Sequence, residues 1–359
     1  MKRQNQETKT VQDVENPAGA KLDRRAFVRL GAVGAALGSL PLWSTATTAQ
    51  AADTPATAMV SQPPLPVVDA RFPCRIADGI WLIPDKRIFL VPNIGIVEGS
   101  RSVLVIDSGL TPDSGRGVLE AARALAGKRD LILTVTHAHP EHTFGAQAFK
   151  GQARIYYNQL QRDYLARAGQ KILERFRRVT LSPDRAYLLD QVQITLADDV
   201  YEGNHASLDL GGRTVEFRTW GTAHSPGDQI IVVPDQGVTF AGDLIEERMF
   251  PIVPFYPPLI GASDIDVHTW QTALGALATP STRLIVPGHG NLGGTEIARA
   301  VSDYFEDTRK LVTSSGVGKT AAPEAVARLE SVVFGRHPTW EHTQFIAPAL
   351  RYFVEQAGA

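Results

Sequence analysis

Residues 134–149 read TVTHAHPEHTFGAQAF, and His137, His139, Glu141 and His142 share one six-residue window. Imidazole and carboxylate are the ligands of zinc and its first-row neighbours. The run before them, Leu131 to Thr136 (LILTVT), reads as a buried strand. Four metal-capable side chains at the mouth of a strand are not explained by packing. Elsewhere in the chain, Asp107, His224, Asp243 and His289 each follow a strand-like run or sit in the loop beside one. Residues at corresponding strand ends can converge although they are far apart in sequence. A cation held there would lower the pKa of a bound water to about 7 and supply a nucleophile at neutral pH. The sequence contains no G-x-S-x-G elbow, so a serine nucleophile of that type is not indicated.

The elements that must position these groups alternate in type. Strands are expected at 79–83, 88–91, 94–97 and 103–106. Thr111-Pro112 then opens a helix with Thr as cap, and Gly127 closes it. The strand at 131–136 follows, then a strand at 154–157. Residues 158–178 read as a basic helix with Arg162, Arg167, Lys171, Arg175, Arg177 and Arg178, either a solvated face or a cover over a substrate. Gly211-Gly212 marks a hairpin turn. Strands are expected at 214–220, 229–233, 238–240 and 284–286. Ser263 or Asp264 is expected to cap a helix carrying Val267, Trp270, Leu274 and Leu277 on one face. The apolar, Pro-rich segment 249–260 (MFPIVPFYPPLI) is either a pocket wall or lid, or a loop packed on the core. Helices are expected near 295–313, 320–333 and 340–356. The pattern gives an α/β sandwich, with polar groups at carboxyl ends of strands where α/β folds place ligands.

With these motifs in order, the chain resembles the metallo-β-lactamase superfamily over about residues 79–290. The family's H-x-H-x-D-H appears as His137-Ala-His139-Pro-Glu141-His142, followed by His224 in AHSPGD, Asp243 in FAGDLI and His289 in PGHG. The resemblance implies a four-layer αββα sandwich with C-terminal helices and metals at the open edge between the sheets. It implies one zinc on His137, His139 and His224, a second on Glu141, His142 and His289, and Asp243 bridging both. It implies a hydrolase in which a metal-bound hydroxide, held by Asp243, attacks an ester, lactone, lactam, thioester or related bond of a small molecule. Asp107 would orient a ligand histidine or the metal-bound water. Asp228 could do the same or cap a turn. Glu141 departs from the family's Asp by one methylene; it could ligate, weaken or abolish the second site, or act as a general base. An iron-dependent oxidoreductase of sulfur or oxygen chemistry is the alternative on the same scaffold. His205, His268, His337 and His342 have no family counterpart and read as structural or surface residues.

The remaining features concern address and partners. Residues 1–51 carry Arg24-Arg25, a short Gly/Ala-rich apolar run and Ala49-Gln50-Ala51, the order of a twin-arginine signal peptide. The expected product is periplasmic or secreted, with no stable membrane span after cleavage. Residues 52–70 read as a disordered lead-in, and the resemblance makes 71–359 a metallo-β-lactamase-fold domain with its metal-site core at 79–290. A net charge of −2 gives no reason to expect nucleic acid as a partner. Cys74, the only cysteine, excludes an intrachain disulfide and reads as inert.

Overall fold

Alternation along the strands decides the layering. In β4 (Ser102–Ile106), Val103 and Val105 pack on one side, and Leu104 and Ile106 on the other. Both sets are buried, so this strand has a layer on each face. The same division runs through β5 (Asp130–Thr134), where Leu131 and Leu133 oppose Ile132. The computed structural model describes residues 63–254, 264–279, 281–318 and 323–357. All of them fall in one unit, Gln62–Ala359. The other unit, Met1–Ser61, lies outside the described residues, and the expected signal peptide with it.

Seven strands form the first sheet in sequence order. They are β1 (Cys74–Ala77), β2 (Ile80–Ile83), β3 (Ile94–Glu98), β4, β5, β6 (Arg154–Asn158) and β7 (Asp199–Tyr201). Pairing is antiparallel up to β4 and parallel from β4 to β7. The second sheet has the order β12-β11-β10-β9-β8. Its members are β8 (His205–Asp209), β9 (Thr214–Thr219), β10 (Gln229–Val233), β11 (Val238–Glu246) and β12 (Leu284–His289). Only β11 and β12 pair in parallel here.

The inner faces meet through Leu104, Ile106 and Tyr156 from one sheet and Phe217, Ile231 and Phe240 from the other. Outside the first sheet lie α1 (Pro112–Ala126), with Val118 and Ala122 inward, and α3 (Gln159–Arg175), with Tyr164 and Leu165 inward. Outside the second lie α4 (Val267–Leu277), α5 (Thr295–Ser315) and α7 (Ile346–Ala357), reached after α6 (Pro323–Arg336). The fold is the αββα sandwich with C-terminal helices. No helix among the described residues is long and apolar enough to cross a membrane.

Several local expectations hold for the stated reasons. The Thr111 side chain accepts from Ser114 N, and Pro112 opens α1 where no N–H is needed. Others are corrected. Residues 88–91 are not a strand: Lys86, Arg87 and Leu90 have φ of +52°, +54° and +63°, which no pleated strand allows. The segment loops over the sheet edge instead. Asp266 caps α4 through Thr269 N at 2.9 Å; Asp264 is buried, and Ser263 lies outside the described residues. Residues 66–70 of the expected lead-in are packed, with Val68 and Ala70 in the first core and Val68 N donating to Ser114 Oγ at 3.1 Å, while residues 63–65 are exposed. β11 runs on to Glu246, past the expected end at Phe240. Of the expected wall at 249–260, residues 255–260 lie outside the described residues.

Candidate metal centre

Each polar group at the open edge is aimed by a break in regular structure. After β5 the chain leaves the sheet, and Pro140 starts α2 (Pro140–Thr143) with His139 as its cap residue. That one turn carries Glu141 and His142, both buried. Asp107, just beyond β4, has φ +70°, a conformation in which Asp is among the less strained residues. Its Oδ1 accepts from Thr136 N at 2.7 Å, and its Oδ2 faces His142 Nδ1 at 2.9 Å. The pair fixes the tautomer that leaves His142 Nε2 facing the centre, the arrangement that orients metal-ligating histidines.

His224 sits in the loop between β9 and β10. Asp228 closes that loop: its Oδ2 accepts from Ala223 N at 3.2 Å and Ser225 N at 2.7 Å, and its Oδ1 accepts from Ser225 Oγ at 2.8 Å. Asp228 is thus the turn cap of the two roles open to it. The His224 ring packs edge-on against Trp270, centroids 4.9 Å apart, and Trp270 Nε1 donates to Leu244 O at 2.9 Å. Replacing Asp228 by Ala removes three hydrogen bonds from a buried loop. Thermal or urea unfolding is expected to show a loss of about 2–4 kcal/mol. A loss under about 0.5 kcal/mol would mean the loop holds its shape without Asp228.

Two donor groups result. His137, His139, His224 and Asp243 form one, and Glu141, His142, Asp243 and His289 the other; in each, the ligand atoms lie within 4.8 Å of one another. Asp243 Oδ2 lies 3.7 Å from His137 Nε2 and 3.8 Å from His224 Nε2. Its Oδ1 lies 3.3 Å from His142 Nε2 and 3.6 Å from His289 Nε2. His139 Nδ1 and His224 Nε2 are 3.0 Å apart. Donors at about 2.0–2.1 Å from a tetrahedral zinc are separated by roughly 3.3 Å, so these spacings fit a cation in each group. His137 Nε2 and Glu141 Oε2 are buried with no hydrogen-bond partner among the described residues, a costly state unless something binds them.

Burial, helped by neighbouring imidazoles, holds His137 and His139 well below the usual histidine range, and burial brings His224 to about 4. These rings therefore keep the lone pairs that a cation needs. Burial also pulls His142 down, but Asp243 and Asp107 outweigh it and hold this ring well above the usual range. Burial raises Glu141, while for Asp243 the surrounding histidines overcome burial and hold it well below a normal carboxyl.

One residue escaped the sequence reading. Glu246 is buried, and Glu246, Glu141 and His289 line one cleft of about 410 Å³. Burial, then Asp243 and Glu141, push its carboxyl well above the ordinary range. It lies three residues after Asp243 in one strand, so a period of two puts them on opposite faces. The register of β11 against β12 shifts between Gly242 and Glu246, and this irregularity re-aims the chain. His342, expected as a structural or surface residue, also lines the cleft. His337 packs among Phe250, Tyr304 and Trp340, and His205 and His268 are exposed, as expected.

The fold and its centre can now be set beside known proteins. The sequence model of the metallo-beta-lactamase superfamily matches residues 87–289. The chain belongs to this superfamily. A metallo-beta-lactamase type 2 from Bacteroides fragilis is 27% identical over 110 residues, 29% of this chain and 42% of that protein. The chain thus spans about two fifths of that relative's length. An acyl-coenzyme A thioesterase from Bos taurus is 27% identical over 254 residues, 64% of this chain and 85% of that protein. Among solved structures, a metallo-beta-lactamase family protein from Thermus thermophilus superposes with a TM-score of 0.57 at 18% identity, covering 79% of this chain and 95% of that one. That likeness speaks for the fold alone.

Proposed function

We propose that the chain is a zinc-dependent hydrolase acting on an ester, lactone, lactam or thioester of a small molecule, with two metal ions held side by side. The observation that carries this reading is the double facing of Asp243, one carboxylate oxygen toward each group of donors. His137, His139 and His224 would hold one ion, and Glu141, His142 and His289 the other, with Asp243 shared. Bound there, a pair of divalent cations supplies Lewis acidity and an acidified water. Asp243, which faces both groups, would orient a water held there by accepting a hydrogen bond from it. Asp107 keeps His142 in one tautomer and is itself held by the hydroxyl of Thr136 at 2.9 Å. The cleft over Glu141 and His289 admits the substrate, and its apolar walls, Phe89 and Ile252 among them, suit an apolar portion. The relatives named as a metallo-beta-lactamase and as an acyl-coenzyme A thioesterase support the class and leave the bond open.

Metal content per chain tests the reading. Elemental analysis of the purified protein is expected to find two zinc ions, both in the wild type and in Glu141→Asp, with activity of the variant within about tenfold. One zinc in the wild type and two in Glu141→Asp would remove Glu141 from the ligand set. Iron would transfer the chain to the oxidoreductase alternative, and absence of metal would end the proposal.

A further inference from the structure

The family match stops at His289, yet part of the cleft wall comes from beyond it. His342, Gln344, Phe345 and Pro348 line the cleft beside residues 87–90. This segment is clamped in place by Glu341. Its carboxylate takes Arg87 Nε at 2.9 Å, its backbone O accepts from Phe250 N at 3.0 Å, and its N donates to Arg248 O at 2.9 Å. Arg87 also holds Glu247 at 3.1 Å, so the clamp joins the wall to the residue that follows the strand carrying Asp243.

The clamp forces an unusual backbone on the next residue. His342 has φ +61° and ψ +43°, the left-handed region, where a side chain other than that of Gly, Asn or Asp is uncommon. Such strain is kept where the surrounding structure over-determines it and tends to mark working sites. The half-buried ring lies between Phe89 and Phe345, centroids 5.3 and 6.0 Å away. Its Nδ1 is 3.5 Å from Gln344 Nε2, and its Nε2 makes no hydrogen bond among the described residues. A partly desolvated imidazole with a spare nitrogen, framed by two aromatic rings at a cleft wall, is built to hold an amphipathic molecule.

We propose that His342 is a substrate-binding residue, hydrogen-bonding through Nε2 to a polar group of a substrate whose apolar part lies against Phe89 and Phe345. The substrate class is a neutral or acyl amphiphile with an acceptor oxygen near its reactive carbonyl. The inference rests on the hydrolase reading for the word substrate, but its test does not need turnover.

Two variants separate the side chain from the backbone. His342→Gly keeps the left-handed conformation and removes the ring; His342→Asn keeps the conformation and restores a donor. Calorimetric titration of the purified protein with octanamide, an uncharged amphiphile, is expected to show binding by the wild type. Kd should rise about five- to tenfold in His342→Gly and recover in part in His342→Asn. With p-nitrophenyl octanoate and octanoyl-coenzyme A the same variants should raise KM by a similar factor and leave kcat within about threefold. Equal affinity in wild type and His342→Gly, or failure of the wild type to bind octanamide, overturns the proposal. Binding that depends on His342 in a protein that hydrolyses none of these compounds would leave the binding residue standing and exclude these two acyl compounds as substrates, the hydrolase reading itself being decided by the metal content.

Discussion

Asp243→Asn is expected to lower hydrolysis by at least about a hundredfold and to cost the protein metal. Changes to groups that merely orient a metal ligand commonly cost 10–100-fold, and Asp243 is closer to the chemistry than that. Its two oxygens face four histidines at 3.3–3.8 Å. Asn has the same shape, so packing is preserved. It lacks the negative charge that would offset cations held in the two donor groups. Removing one partner of a buried charge pair leaves the other uncompensated. Elemental analysis should therefore find fewer than two ions per chain in the variant, alongside the loss of turnover. Full metal content with near-normal rates would show that Asp243 is neither shared nor catalytic.

Gly288→Ala is expected to disable the same centre without altering a ligand. A Cβ at residue 288 would overlap Asp243 Oδ1 and lie 2.7 Å from Gly242 C and 2.9 Å from Asp243 N. Two of these three atoms are backbone of the neighbouring strand, so no rotamer change relieves the clash. Asp243 can sit between its histidines only because β12 passes it with a bare Cα. Overpacking of this kind costs typically 1–3 kcal/mol and sometimes more. We expect a loss of about 3 kcal/mol, a fall in melting temperature of roughly 6–10 °C, and reduced metal retention. Gly275→Ala is the control, because nothing lies within 4 Å of a Cβ there and the position is helical and exposed. Alanine should be neutral or mildly stabilising at that site. If the two variants unfold at the same temperature, the close passage at Gly288 does not limit the fold.

The parts of the centre that were legible share a property. His137, His139, Glu141 and His142 are neighbours in sequence, and metal chemistry restricts the residue types that can serve. Asp107 and His289 lie at ends of strands whose apolar runs are plain, because a strand buried on both faces must be apolar throughout, and His224 stands in the loop between β9 and β10. Asp228 was read as either an orienting group or a turn cap; only its three donors, from Ala223 and Ser225, decided between them. The basic stretch of α3 was read as a solvated face or a substrate cover. The structure gives Arg177 to Asp190 at 2.6 Å and sets Arg167 over the Tyr164 ring, while Arg175 alone of the six lines the cleft.

By itself the sequence determined most of the strand runs along the chain, an α/β sandwich and the set of residue types at the open edge, since periodicity, caps and ligand chemistry are local or nearly so. Tertiary structure decided which atoms of those residues face one another. The shift of register in β11 puts Glu246 beside the cleft against the period of a strand. The passage of Gly288 gives Asp243 its place between two groups. The ion pair of Glu341 with Arg87, 254 residues apart, carries His342 to the cleft. None of these follows from a local pattern, because each depends on where one backbone passes another, and that is set by the packing of the two sheets and the C-terminal helices as a whole.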